Sequence, residues 1–245
     1  MSHTNPATVL ITGAAKRIGA EIAKHFHANQ FNTIIHYHRS HQEAEALANE
    51  FNSTRSNSAA ILQADLNDFQ ALSKLSDDAQ RMFGRIDILI NNASSFSPTP
   101  LGKTGERQWD NLFNSNAKAP FFLSQALLPE LKKNSGCIIN MVDIYAEKPL
   151  QNHTLYCMAK SALAMMTQSL AKELGPEIRV NGIAPGAILW PEGEIQENQK
   201  ELLDKTCLKR LGQVEDIIRT IDFITHNKYL TGQIIKIDGG RSVNI

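Results

Sequence analysis

Cysteine is scarce in this chain and odd in number. Cys137, Cys157 and Cys207 are its three cysteines among 245 residues, and no two stand in C-x-x-C spacing. A disulfide framework is therefore not expected; the three read as reduced thiols of a cytoplasmic protein. Cys157 neighbours Tyr156, yet no base partner is visible, so it reads as a small apolar filler on a helix. Net charge is missing too: 25 Lys and Arg offset 25 Asp and Glu, and the sequence pI is near 7.1. That balance suggests neither a nucleic-acid face nor a polybasic membrane anchor, although a neutral total can hide a local patch. No apolar run approaches the roughly 20 residues needed to cross a bilayer. The first residues, MSHTNPATVLITG, lack a basic segment ahead of an apolar one, so no signal peptide is expected. Repeats, low-complexity tracts and linkers are also absent.

Apolar residues, by contrast, make up 42% of the chain, enough for a full core. The length fits one large domain or two small ones. Short runs rich in Ile and Val predict strands over 8–12, 33–38, 59–64, 86–91, 137–142, 178–184 and 233–238. Helical patterns fill 18–29, 41–55, 68–83, 105–133, 153–174 and 213–226. Strands that alternate with helices need crossover connections, which implies a parallel sheet covered on both faces. Right-handed crossovers then give one doubly wound α/β domain of seven strands. The stretch 186-GAILWPEGEIQENQK-200 is irregular. It reads as a flap, near 187–211, over a site at the strand ends; the plainer alternative is a surface connection.

The first strand runs into 12-TGAAKRIG-19. Gly13 allows a tight turn, Gly19 lets the next helix pack close, and the helix N-terminus can receive a pyrophosphate. The second strand ends in 36-HYHRS-40, with no acid to hold free ribose hydroxyls. His38, Arg39 and Ser40 instead suit a 2′-phosphate, which favours NADP(H); a solvated arginine is the competing reading. His36 and His38 share a strand face, but no third ligand accompanies them, so no metal is expected. Asp65, in 64-ADLND-68, can contact an adenine amine or cap the following helix. In 91-NNASS-95, short polar residues either let the backbone lie close to a ribose or simply make a turn. Tyr156 and Lys160 stand four apart, so a helix puts them on one face. A neighbouring ammonium is expected to lower the tyrosine pKa. Leu189 and Trp190 of the flap suit an outer pocket wall or a partner contact.

TGAAKRIG, NNAS, 116-NAKAP-120, the Y-x-x-x-K pair at 156–160, 184-APG-186 and 231-TGQIIKIDGG-240 follow one another in the order of the short-chain dehydrogenase/reductase family. The chain resembles that family over nearly its whole length. The resemblance implies a Rossmann-like domain over 1–245. It implies NADP(H) contacts from Gly13, Arg17, Ile18, Gly19, His38, Arg39, Ser40, Asp65, Leu66, Asn92, Ala93, Ser94, Tyr156, Lys160, Pro185 and Gly186. It further implies catalytic roles for Asn116, Tyr156 and Lys160, with Lys160 on the nicotinamide ribose, and a homotetramer.

Several positions depart from the family pattern. Arg17 replaces the middle glycine of the first turn, Ser94 replaces a glycine, and Asp143 stands at the catalytic serine position. With Phe96 and HYHRS, these departures resemble the pteridine reductase branch, close to the bacterial dihydromonapterin reductases. In that branch such residues (Arg17, Ser94, Phe96, Asp143, Tyr156) bind a pterin between a phenylalanine and the nicotinamide. The chemistry agrees. A ketone becomes an alkoxide, which an ionised carboxylate repels; a ring imine needs a proton on nitrogen, which a Tyr–Asp pair can relay. Asp143 can also be a strand-end cap, and Phe96 a core residue. The competing functions are a 3-oxoacyl-thioester reductase and a non-catalytic NADP(H) sensor.

Overall fold

The computed structural model describes residues 5–189 and 196–244. Seven strands form one parallel sheet: β1 Thr8–Ile11, β2 Asn32–Tyr37, β3 Ala59–Gln63, β4 Ile88–Asn91, β5 Cys137–Met141, β6 Arg179–Pro185 and β7 Ile234–Ile237. Their spatial order is β3-β2-β1-β4-β5-β6-β7. The chain therefore builds outward from β1 in one direction, then returns beside β1 to build in the other. That reversal opens a crevice beyond the carboxyl ends of β1 and β4, where doubly wound sheets bind ligands.

Successive strand residues feed opposite faces, as a two-residue period demands. Val9, Ile11, Ile35, Ile90 and Ile139 join one core with Ile22 and Phe26 of α1 (Arg17–Ala28) and Ile217 and Ile221 of α9 (Val214–His226). Leu10, Ile34, Leu89 and Ile138 join the other, with Leu72 and Leu75 of α3 (Phe69–Phe83) and Leu170 of α7 (Thr154–Leu174). Each such fully buried Ile or Leu contributes about 1.5–3 kcal/mol. Helix α2 (His41–Thr54) packs its Leu47 and Phe51 on the first core.

The expected helix over 105–133 is in fact three: α4 Glu106–Phe113, α5 Ala119–Ala126 and α6 Leu128–Lys133. A π turn over Asn114–Lys118 separates the first two. Pro129, in the first turn of α6, has no N–H to continue α5, so the chain breaks there. The flap carries a helix the sequence reading leaves out, α8 Gln196–Asp204; its polar sequence shows no helical apolar stripe. On α7, Leu170 is buried and Met165 is exposed. All three cysteines are free. Among the described residues no helix is long and apolar enough to cross a membrane, and no three His, Cys, Asp or Glu gather as a metal set.

Candidate active site

The crevice begins at the turn after β1. Gly13 has φ +63°, and a Cβ on Gly19 would lie 2.3 Å from the Gly13 carbonyl oxygen. Only glycine permits that approach of α1 to the turn. Arg17 has a left-handed backbone, at φ 54°, which costs an arginine about 1–2 kcal/mol. Helix α1 has no side-chain cap and no acid in its first turn, so its N–H groups and positive pole suit a pyrophosphate. Ile18 packs half-buried against the first core.

Two residues to which the sequence assigned no part in this turn fix it. His36 accepts the Gly13 N–H at Nδ1 (3.1 Å), and its Nε2 contacts the Ala64 carbonyl (3.2 Å), so the proton sits on Nε2. Burial lowers its pKa to about 4. Thr12 Oγ1 accepts the N–H groups of Asn92 and Ala93, while the Asn92 side chain donates to the Thr12 and Gly13 carbonyls. The Asn92 amide is thus committed to joining the β1 and β4 turns. The sequence shows His36 only as a candidate metal partner of His38 and Thr12 only as the start of the glycine turn, because their partners are backbone atoms of other elements.

At the end of β2, His38 and Arg39 are exposed and Ser40 half-exposed. The start of α2 behind Ser40 carries no side-chain cap. Asp65 does not cap α3; Asp68 does, accepting from Gln70 and Ala71. Asp65 Oδ1 instead accepts from Asn67, leaving Oδ2 3.6 Å from His38 Nε2. The Asn67 N–H, with Arg39 and His38 nearby, holds the Asp65 carboxyl below its ordinary value. Leu66 is buried in the second core, Pro185 ends β6, and a Cβ on Gly186 would meet Asp238 Cα at 2.7 Å.

The polar centre lies between β4, β5 and α7. Tyr156 Oη donates to Asp143 Oδ2 at 2.7 Å. Asp143 Oδ1 accepts the Tyr145 N–H at 2.9 Å, capping the short turn Ile144–Ala146. Capping and pairing with the tyrosine therefore coexist, one on each carboxylate oxygen. Burial raises the Asp143 pKa against the opposing hydrogen bonds from Tyr145 and Tyr156 and the charges of Lys160 and Arg241. Burial, then the Asp143 charge, drives Tyr156 well above an ordinary phenol. This reverses the expected lowering by Lys160, whose Nζ lies 5.7 Å from the Tyr156 ring centroid and donates to the Met141 carbonyl at 2.8 Å. Burial lowers Lys160 itself to about 8. Asn116, on the π turn, accepts from Ser94 Oγ at 2.7 Å and donates to the carbonyls of Ser95 and Leu112.

Phe96 is 55% exposed, which removes the core-residue alternative. It stacks on His153 at 4.6 Å and meets Tyr156 edge-on at 4.8 Å. Thr99 holds its loop to α7: the Thr99 N–H donates to Asn152, and Thr99 Oγ1 accepts from Leu155. An aromatic face is thus presented beside the Tyr–Asp pair. His153 was not foreseen as a wall of this pocket. Leu189 is partly exposed at the flap's start; Trp190 lies outside the described residues.

The family model described as short chain dehydrogenase matches residues 7–201. Pteridine reductase 1 of Leishmania tarentolae is 38% identical, covering 99% of this chain and 98% of its own. The 3-oxoacyl-(acyl-carrier-protein) reductase of Staphylococcus aureus strain Mu50 is 31% identical over 95% and 97%. Dihydromonapterin reductase of Klebsiella pneumoniae is 29% identical over 98% and 99%. With the sheet order, the glycine turn and the Asn116, Tyr156 and Lys160 positions in place, the chain belongs to the short-chain dehydrogenase family.

Proposed function

We propose that this chain is an NADPH-dependent pteridine reductase that reduces oxidised or dihydro-pterins to tetrahydro forms. The observation that carries the reading is the 2.7 Å bond from Tyr156 Oη to a half-buried Asp143 carboxyl. NADP(H) suits the crevice: Gly13 and Gly19 leave room at the α1 N-terminus, and Arg39 and Ser40 offer donors for a 2′-phosphate. When bound, the cofactor supplies the hydride to the carbon of a pterin C–N double bond.

The chain's own residues manage the proton. As nitrogen gains electron density, Tyr156 gives up its phenolic proton to it. Asp143, which accepts the Tyr156 hydroxyl in the resting site, then takes a proton from solvent and relays it to the phenolate. The buried Lys160 ammonium stabilises the transient phenolate. Phe96 offers its face to a flat bicycle; Arg17 adds donors around it, and the Ser94 oxygen, whose proton goes to Asn116, adds an acceptor. Burial raises the proton affinity of both Tyr156 and Asp143, and as coupled groups they titrate together. A thioester ketone would set an alkoxide against this carboxylate. The homotetramer is part of the proposal, supported by apolar Phe121, Met158 and Met165 exposed on helices.

The test follows nicotinamide absorbance with dihydrobiopterin, dihydromonapterin, dihydrofolate and an acetoacetyl thioester. NADPH oxidation with at least one pterin is expected. Oxidation with the thioester alone would assign a 3-oxoacyl reductase, and none with any substrate a sensor.

A further inference from the structure

We propose that Arg241, in the short turn after β7, is a positioning residue that seats the flap helix α8 and the Asp143 turn on one guanidinium. Arg241 is only 9% exposed. Its Nη1 donates to the Leu202 carbonyl of α8 at 3.2 Å, and its Nη2 to Tyr145 Oη at 3.1 Å. Tyr145 in turn gives its backbone N–H to Asp143 Oδ1. A single planar fork therefore lies between the flap and the proton-delivering carboxyl.

Helix α8 needs such a seat. It has nine residues and no basic side chain in its last turn, and it ends at Asp204. So short a helix is marginal by itself, and an acid at its negative pole weakens it further. Exposed lysines already serve that pole, Lys209 donating to the Asp204 carbonyl and Lys205 pairing with Glu201; Arg241 adds the buried cation there and satisfies the Leu202 carbonyl. The same turn is braced from behind. Asp238 accepts the N–H groups of Gly240 and Ser242, Leu208 donates its N–H to Gly239, and Asn244 donates to the Lys205 carbonyl. The C-terminal segment and the flap's far end are thus joined, with the guanidinium as their buried charged contact.

Two consequences are separable. The fork holds α8 in place, which requires guanidinium geometry. The charge opposes proton uptake at Asp143, together with Lys160 and the donors from Tyr145 and Tyr156 that face the same carboxyl. Lysine keeps the charge and loses the fork.

Hydrogen–deuterium exchange over 196–206 in the full-length protein reads the fork without any substrate. Arg241→Met and Arg241→Lys should both speed exchange there by about tenfold or more, with the β1–β5 sheet unchanged. The pH profile of kcat reads the charge and rests on the pterin reading. Its limb reporting Asp143 moves to higher pH in Arg241→Met and stays near wild type in Arg241→Lys. Native exchange over 196–206 in either folded variant overturns the proposal. Should Arg241→Met fail to fold, Arg241→Lys alone decides. Wild-type protein that oxidises NADPH with no pterin defeats the pterin reading, and the exchange result then still decides the role of Arg241.

Discussion

His36 shows how one buried side chain sets up the nucleotide turn. Both ring nitrogens are committed, one to Gly13 and one to Ala64, so it must stay neutral. Its pKa is about 4 in the fold against 6.5 unfolded. The unfolded chain therefore takes up a proton in the window between those values while the native state does not. The stability linked to His36 is fully present above about pH 6.5 and is lost as pH falls toward 4, by roughly 3 kcal/mol. Denaturant unfolding of wild type and His36→Asn across that window should show the wild-type advantage shrinking on acidification. A difference independent of pH would contradict this. His36 was legible in the sequence only as half of an unconvincing metal pair, because its true partners are main-chain atoms from two other segments. Asp143 was legible through its departure from the family pattern, but its double use, one oxygen for the Tyr145 cap and one for Tyr156, needed the fold.

At the scale of elements, the turn from β1 into α1 is the most tightly determined junction. Alanine normally favours a helix over glycine by about 1 kcal/mol. At position 19 its Cβ would instead meet the Gly13 oxygen at 2.3 Å and the Asn92 amide at 2.7 Å. Gly19→Ala should therefore lower the melting temperature and raise the NADPH Kd at least about tenfold, measured by calorimetry and fluorescence titration. A more stable protein with unchanged Kd would show that the turn is not the phosphate cradle. Glycine spacing, strand runs and the Y-x-x-x-K pair were readable because each reflects a local rule. The break at Pro129 was equally local and was passed over inside a long apolar pattern. Helix α8 was not readable, since Arg241, about forty residues on, supplies part of what holds it.

In the whole molecule, the order β3-β2-β1-β4-β5-β6-β7 brings β1, β4, β5, α7 and the C-terminal turn to one crevice. The glycine turn, the exposed Phe96 and the Tyr156–Asp143 pair come from separate segments spread along the chain between Gly13 and Tyr156. Their shared position, rather than any one motif, is the basis of the proposed imine reduction. The decisive measurement is kcat for dihydrobiopterin in wild type and Asp143→Ser, with NADPH Kd measured alongside. Loss of the proton-relaying carboxylate should cut kcat by about a hundredfold or more while Kd stays within a few-fold. Undiminished pterin turnover in Asp143→Ser would contradict the account.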